Sequence, residues 1–236
     1  MKAWLEDMLG IVHNGGPAEL IFGRVATLAQ QLGFENCAYG RRSPFSGVRP
    51  QVVMLSNYPA HWRARYESLG YLEKDPTVLH GQRSQTPLRW SDAVFSSTPH
   101  FWEDARAFGL RFGWSQSSLD APGIGGMLTL CRSSEELTAS EMANSESRMQ
   151  LLSSIAHQAL SRALANTPAI TPVCLTPREI EVMKWTAEGR PSQEVAKRLL
   201  LSKATVDFHA RNATLKLGVP NKTAAAVRAT MLGLLR

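Results

Sequence analysis

The chain has little that would anchor it, cross-link it or equip it for catalysis. No run of 18 or more apolar residues occurs in its 236 residues, which excludes a helical membrane span. The N-terminus carries Glu6 and Asp7 and lacks a basic start followed by an apolar core, so no signal peptide is expected. The three cysteines, Cys37, Cys131 and Cys174, are odd in number, far apart and without metal spacing. They read as reduced thiols of a cytoplasmic protein. Histidines 13, 61, 80, 100, 157 and 209 are scattered, and no pair has the spacing of a metalloprotease helix, so no metal site is expected. Gly123-Ile124-Gly125-Gly126 reads as a turn, because no strand–turn–helix order surrounds it. Ser115, Ser117 and Ser118 fall on a strand without a nucleophile elbow. No internal repeat is found. Nothing here assembles a catalytic set; an enzyme turning over a lactone or acyl amide is the alternative class, and a product assay would reveal it.

Charge is unevenly spread. Residues 176–236 hold 11 Lys/Arg against 5 Asp/Glu, a net of +6, whereas residues 1–175 hold 15 of each. The whole formal charge therefore sits on a small C-terminal segment. That is the electrostatic footprint of a domain that neutralises phosphates, although a basic protein-docking module would share it.

The same segment is a run of capped helices. Thr176-Pro177-Arg178-Glu179 is a capping box with proline at the first helical position, and Gly189 stops that helix. A short amphipathic helix follows, with Val195, Ala196, Leu199 and Leu200 inward. Ser202 caps a longer helix in which Val206, Ala210, Ala213 and Leu217 recur at helical spacing, and Gly218 ends it. Asn221 caps a fourth helix carrying Ala225, Val227, Met231 and Leu234. A short helix, a tight turn and a second capped helix with basic residues on its outer face suit a DNA major groove.

Residues 175–236 resemble the LuxR-type helix-turn-helix domain. The resemblance rests on Leu175-Thr176-Pro177-Arg178-Glu179, Gly189, Glu194-Val195-Ala196, Thr205-Val206, His209 and Lys216-Leu217-Gly218-Val219. It implies a recognition helix from about Lys203 to Leu217, with Lys203, Thr205, Asp207, His209, Arg211 and Asn212 as DNA-facing polar positions. Two residues depart from the pattern. Pro191 stands where the family usually has an N-cap, and Asp207 where relatives usually place Lys or Arg. A carboxylate there repels phosphate or accepts from a cytosine amino group.

The remaining length suits one larger domain. Helices are expected over Trp4–His13, Ala18–Leu32, Pro59–Leu69 and Pro99–Phe108, and strands over Asn36–Arg41, Gln51–Ser56, Trp114–Leu119 and Met127–Cys131. Thr138-Ala139-Ser140-Glu141 is a second capping box opening a long helix striped by Leu152, Ile155, Ala156, Ala159, Leu160 and Ala163. The mix implies an α/β domain with helices on both faces of a sheet. Tyr58, Trp62 and Tyr66 step by four residues along one helix face or its entry turn, with Asp75 and Trp90 beyond. Aromatic walls with few polar groups suit a small-molecule pocket, although the same spacing also builds ordinary cores.

Residues from about 34 to 164 are similar to the acyl-homoserine-lactone-binding domain of LuxR-type quorum-sensing regulators, nearest to solo or orphan receptors. The signature residues are Trp62, Tyr66, Asp75, Pro76, Trp90 and Gly113, with Leu55-Ser56-Asn57-Tyr58-Pro59 and Phe101-Trp102-Glu103 alongside. The resemblance implies an α/β/α sandwich holding ligand between the sheet and one helical layer, followed by an all-α four-helix helix-turn-helix domain. It implies that Asp75 accepts from the ligand amide N–H, that Trp62 donates to the lactone carbonyl and that Tyr58 donates to the acyl amide carbonyl. Trp90, Phe101 and Ala105 would pack on the lactone ring, Tyr66 would lie along the acyl chain, and Thr129 would offer a hydroxyl. Ala38 is small and apolar where some relatives have Ser.

The expected organisation is a ligand domain at 1–165, a linker at 166–174 around Pro168 and Pro172, and a DNA-binding domain at 175–236. The expected protein is not an enzyme and needs no cofactor. It is a ligand-responsive transcription regulator that binds an N-acyl homoserine lactone and, as a homodimer, palindromic double-stranded DNA, with RNA polymerase as a further partner. Ala225, Met231 and Leu235 are expected to be surplus to the small domain's core and to serve dimerisation, together with the long helix after Thr138. A response regulator is a poor fit, since Glu6 and Asp7 fall in a helix rather than at a strand end. A signal-binding decoy that heterodimerises with another receptor is the alternative reading.

Overall fold

A computed structural model describes residues 2–43, 51–121, 124–165 and 173–235. The chain divides into two compact units, treated separately below.

The N-terminal unit is built on a five-stranded sheet of order β2-β1-β5-β4-β3. Its strands are β1 (Asn36–Ser43), β2 (Gln51–Ser56), β3 (Leu88–Arg89), β4 (Phe112–Ala121) and β5 (Ile124–Arg132). β1 runs antiparallel to β5, pairing Cys37 with Leu130, Ala38 with Thr129 and Tyr39 with Leu128. Alternation then sends successive pairs to opposite faces. Cys37, Tyr39, Trp114, Leu128 and Leu130 face one side, where α1 (Lys2–Asn14), α2 (Ala18–Gln31) and α6 (Ala139–Ala165) close a continuous core with them. Met8, Ile11, Val25, Leu152, Ala156 and Leu160 are all fully or almost fully buried there. Among the polar groups on this face, the Tyr39 hydroxyl and His157 Nδ1 lie 2.8 Å apart.

The other face carries α3 (Ala60–Ser68), a 3-10 turn (Tyr71–Glu73), α4 (Pro76–Gly81) and α5 (Pro99–Ala107). A second, aromatic cluster forms there from Trp62, Tyr71, Phe95, Phe101 and Trp102. The helices expected from sequence are present to within a few residues, and the sandwich is as expected. The 3-10 turn, α4 and β3 were not anticipated; each is too short to show a period. Residues 122 and 123, between β4 and β5 in sequence, fall outside the described residues, and part of the expected glycine turn falls outside with them. Most of the expected linker, residues 166–172, also falls outside them.

α6 begins as a capped helix, since Glu141 N–H donates to Thr138 Oγ1 at 3.1 Å. The Glu141 carboxylate also takes a two-pronged contact from Arg132 at 2.7 and 2.8 Å, which ties β5 to the start of α6.

The C-terminal unit comprises α7 (Pro177–Ala187), α8 (Ser192–Leu199), α9 (Lys203–Leu217) and α10 (Lys222–Met231). The capping box is complete: Glu179 N–H donates to Thr176 Oγ1, and the Glu179 carboxylate accepts from Thr176 N–H. Ser202 and Asn221 cap α9 and α10 through their side chains. Gly218 closes α9 at φ 63°, in the left-handed region that glycine enters without steric cost.

Two sequence expectations need correction here. Leu200 is not inward but 91% exposed, because it ends α8 in a left-handed conformation (φ 55°) that turns its side chain out of the core. Ala225 is not surplus: it is fully buried in the core of its own unit, and Leu235 packs against the same core. Four short helices leave so small an interior that even their alanines are needed to fill it.

Lys216 on α9 reaches the buried Glu179 carboxylate on α7 at 2.8 Å. Burial works against ionisation of Glu179, but Lys216 and Thr176 outweigh it and hold the carboxyl below its ordinary range. A lowered folded-state value stabilises the fold above the unfolded-state value and loses that stability as pH falls through the folded one. Stability of this unit should therefore be full at neutral pH and decline below about pH 4.5. Glu179→Gln should cost about 1–3 kcal/mol at pH 7 and flatten that acid dependence. Hydrogen exchange of peptides spanning α7 to α10, measured from pH 7 downward, reads both effects.

Candidate functional site

The face of the sheet opposite α6 is not filled. Ala38 and Gly40 of β1, with Met127 and Thr129 of β5, form the floor of a cavity. Val52 and Met54 of β2 border it, and α3, α4 and α5 supply the rest of the wall. The space between atoms, including open solvent at the mouth, is about 720 Å³. Tyr58, Trp62, Tyr66, Asp75, Trp90, Phe101, Ala105 and Thr129 all line it. Eight positions scattered over 72 residues of sequence are thus brought to one cavity.

Local structure explains how they converge. Tyr58 precedes α3, and Trp62 and Tyr66 follow on one of its faces. Trp62 is almost fully buried and packs edge-on to Tyr66 (5.7 Å between centroids). Phe101 of α5 meets Tyr71 nearly perpendicular at 4.8 Å, a favourable edge-to-face geometry. Polar contacts join these elements: Arg65 on α3 donates to Asp104 on α5 through Nε (2.6 Å) and Nη2 (3.0 Å), and the Tyr71 hydroxyl donates to the same carboxylate. The helical wall of the cavity is thereby braced as one piece.

Asp75 is the only buried carboxylate among the lining residues. It is the N-cap of α4: its Oδ1 accepts from Thr77 N–H at 2.8 Å and from Thr77 Oγ1–H at 2.7 Å. Its Oδ2 accepts from the Tyr66 hydroxyl at 3.0 Å. Burial pushes its carboxyl above the ordinary aspartate range, with Thr77 and Tyr66 pulling part of the way back. Burial also pushes the phenols of Tyr58 and Tyr66 well up, so both stay protonated and act as donors. Trp62 offers its indole N–H from the cavity wall, with no hydrogen-bond acceptor among the described residues.

Trp90 is used differently. Its indole donates to Ser115 Oγ at 3.0 Å, and Ser115 pairs with Thr129 Oγ1 at 3.1 Å. What Trp90 turns to the cavity is ring surface. Gly113 lies directly beneath that ring: a Cβ there would fall within about 2.6 Å of the indole carbons, so a side chain would displace Trp90. The sequence marks Ser115 only as a strand serine. Strand alternation places it on the cavity face, but nothing in the sequence says which face is hollow. The same holds for Gly40, Val52, Met54 and Met127.

On α9, Val206, Ala210, Ala213 and Leu217 are buried as the periodicity requires. Lys203 and Arg211 are exposed, and Thr205, Asp207, His209 and Asn212 are half-buried. Asp207 lies 3.4 Å from Lys203 Nζ. The Ser192 hydroxyl, then Lys203 and Lys222, hold its carboxyl below the usual range. Pro191 takes the N-cap position of α8 and contributes no side-chain cap. Among the described residues no cluster of three or more His, Cys, Asp or Glu could hold a metal ion. No described helix is long and apolar enough to cross a membrane.

Comparison with known proteins agrees with this geometry. Residues 18–160 match the autoinducer binding domain, and residues 173–229 match the bacterial regulatory proteins of the luxR family. The chain is 41% identical to the transcriptional activator protein AnoR of Acinetobacter nosocomialis over the full length of both. Its fold is similar to the crystal structure of Escherichia coli SdiA, with a TM-score of 0.84, 34% identity and coverage of 99% of this chain and 98% of that one. SdiA in complex with octanoyl-rac-glycerol is also similar, with a TM-score of 0.82, 33% identity and coverage of 100% and 96%. An autoinducer-binding sandwich and a helix-turn-helix unit in one polypeptide make this chain a member of the LuxR family of quorum-sensing transcription regulators, which are ligand-responsive proteins rather than enzymes.

Proposed function

We propose that the protein binds an N-acyl homoserine lactone in the cavity and, as a homodimer in the cytoplasm, binds palindromic operator DNA to control transcription with RNA polymerase. The observation that carries the ligand reading is Asp75, a buried carboxylate on an otherwise mostly apolar wall. Each carboxylate oxygen can accept more than one hydrogen bond, so Oδ2 can take an amide N–H beside the Tyr66 hydroxyl. Trp62 and Tyr58 supply donors for the two carbonyls of such a ligand. Trp90, Phe101 and Ala105 enclose the ring, and Val52, Met54 and Met127 receive the chain. Thr129, engaged with Ser115, offers a hydroxyl on the floor. Tyr66 does more than lie along the chain, since it also holds the carboxylate. SdiA accepts an octanoyl chain on a glycerol head, which supports an acyl chain as the common element.

The domains are taken as 1–165 and 175–236, with the linker between. A signal-binding decoy would draw on the departure at Asp207, and that carboxylate is held within its own unit, 3.4 Å from Lys203 Nζ.

Asp75→Asn retains the N-cap acceptor, because Asn caps as well as Asp, so α4 should survive. Loss of the charged acceptor should weaken lactone binding by about 1.5–3 kcal/mol, roughly ten- to a hundred-fold. Because burial raises the Asp75 carboxyl, wild-type affinity should fall on acidification at a higher pH than an ordinary aspartate would dictate. Titration calorimetry of both proteins with an acyl-homoserine lactone across pH checks this; unchanged affinity in a folded variant would refute the assignment.

For the DNA-binding unit, Lys203→Ala should weaken all sequences alike and lower the salt slope by about one. Arg211→Ala should cost about 1–3 kcal/mol and relax preference at one base pair. Binding isotherms at a series of salt concentrations separate the two. Sedimentation equilibrium with lactone and operator present should give a dimer; a monomer under saturating conditions would exclude the two-fold arrangement.

A further inference from the structure

The outer face of α9 is centred on a residue that none of the polar contacts explains. With Val206, Ala210, Ala213 and Leu217 turned into the core, 3.6-residue periodicity places Ala204 and Phe208 on the opposite side of the helix, flanked by Arg211 and Asn212. Phe208 is 58% exposed. It is not part of the core of its unit, and its one ring contact among the described residues is with the neighbouring His209, at 5.5 Å between centroids. Meanwhile Asp207 and Lys203 are paired with each other on the flank that faces Ser192. The two charges at the start of the helix are thus partly spent on one another, and the central reading position is apolar.

An apolar side chain in the major groove can distinguish bases in one main way, by contact with the C5-methyl group of thymine. We infer that Phe208 is a specificity-determining residue that reads a thymine methyl in each half-site. The inference rests on the proposed DNA binding. Arg211 follows one turn later, about 5 Å along the axis, so a guanine read by Arg211 lies within one or two base pairs of that thymine. The exposed phenyl ring then has a purpose: the area it leaves open to water in the free protein is covered when the groove is occupied.

Thymine and uracil differ only by this methyl, so the DNA can be altered while the protein is left intact. Binding sites are first selected from random duplex DNA with the full-length protein and an acyl-homoserine lactone. Each thymine of the selected site is then replaced singly by uracil. Wild type should lose about four-fold affinity at one thymine per half-site, and about fifteen-fold when both half-sites are substituted. Phe208→Ala should bind the unmodified site more weakly and be indifferent to uracil at that position. Phe208→Leu, which keeps apolar reach, should retain part of the sensitivity. Uracil without effect at every position, or a Phe208→Ala protein that keeps the same sensitive thymine, would overturn the inference while leaving DNA binding intact. Failure to select any site would overturn the DNA-binding reading and this inference with it.

Discussion

Asp75 sits out of water, and a carboxylate in such a place must have its lone pairs accounted for or give up its charge. Thr77 answers for one oxygen and Tyr66 for part of the other. Those bonds are also structural. The contact with Thr77 starts α4, and the contact with Tyr66 fixes the end of α3 against it. The carboxylate therefore organises the two elements that flank it before any ligand arrives. A guest that donates a further N–H finds an acceptor already oriented, and little of its binding energy goes into ordering the site. A ligand held by the folded state alone also stabilises that state by mass action.

The second organising feature is the contrast between the two faces of one sheet. On the α6 side, large apolar residues from β1, β4 and β5 interlock with three helices. On the other side the same strands present Ala38, Gly40, Ser115 and Thr129, side chains too small to reach the opposing helices, while Met127 extends towards Gly81 of α4. A cavity follows from that choice of sizes. It persists because its roof is braced independently, by Arg65 and Tyr71 on Asp104, and does not need the floor to hold it up.

Much of this was legible in the residues themselves. Long helices revealed themselves through period and caps, and α9 begins and ends where Ser202 and Gly218 say it should. The lining positions were legible through resemblance, and the structure gathers all eight into one cavity. What escaped had physical reasons. α4 has six residues and β3 two, too few for any period to emerge. Ser115 escaped because alternation reports that a strand has two faces without reporting which is hollow. Leu200 misled because a leucine at helical spacing is ordinarily inward, and only the left-handed turn at the end of α8 carries it out. Ala225 misled in the opposite sense: small residues look dispensable in a sequence but fill the interior of a very small domain.

The start of α8 links the two places where the C-terminal unit departs from the family pattern. Pro191 deprives that helix of a side-chain cap, and the Asp207 carboxylate on the next helix is held beside Ser192, the first residue after the gap. The two departures are therefore a single arrangement distributed over two helices. It follows that α9 is not an interchangeable cassette. A recognition helix transplanted from a relative with lysine at 207 would bring a third cation towards Lys203 and Lys222 and leave Ser192 without its anionic neighbour. The packing of α8 against α9 would then be inherited from neither parent.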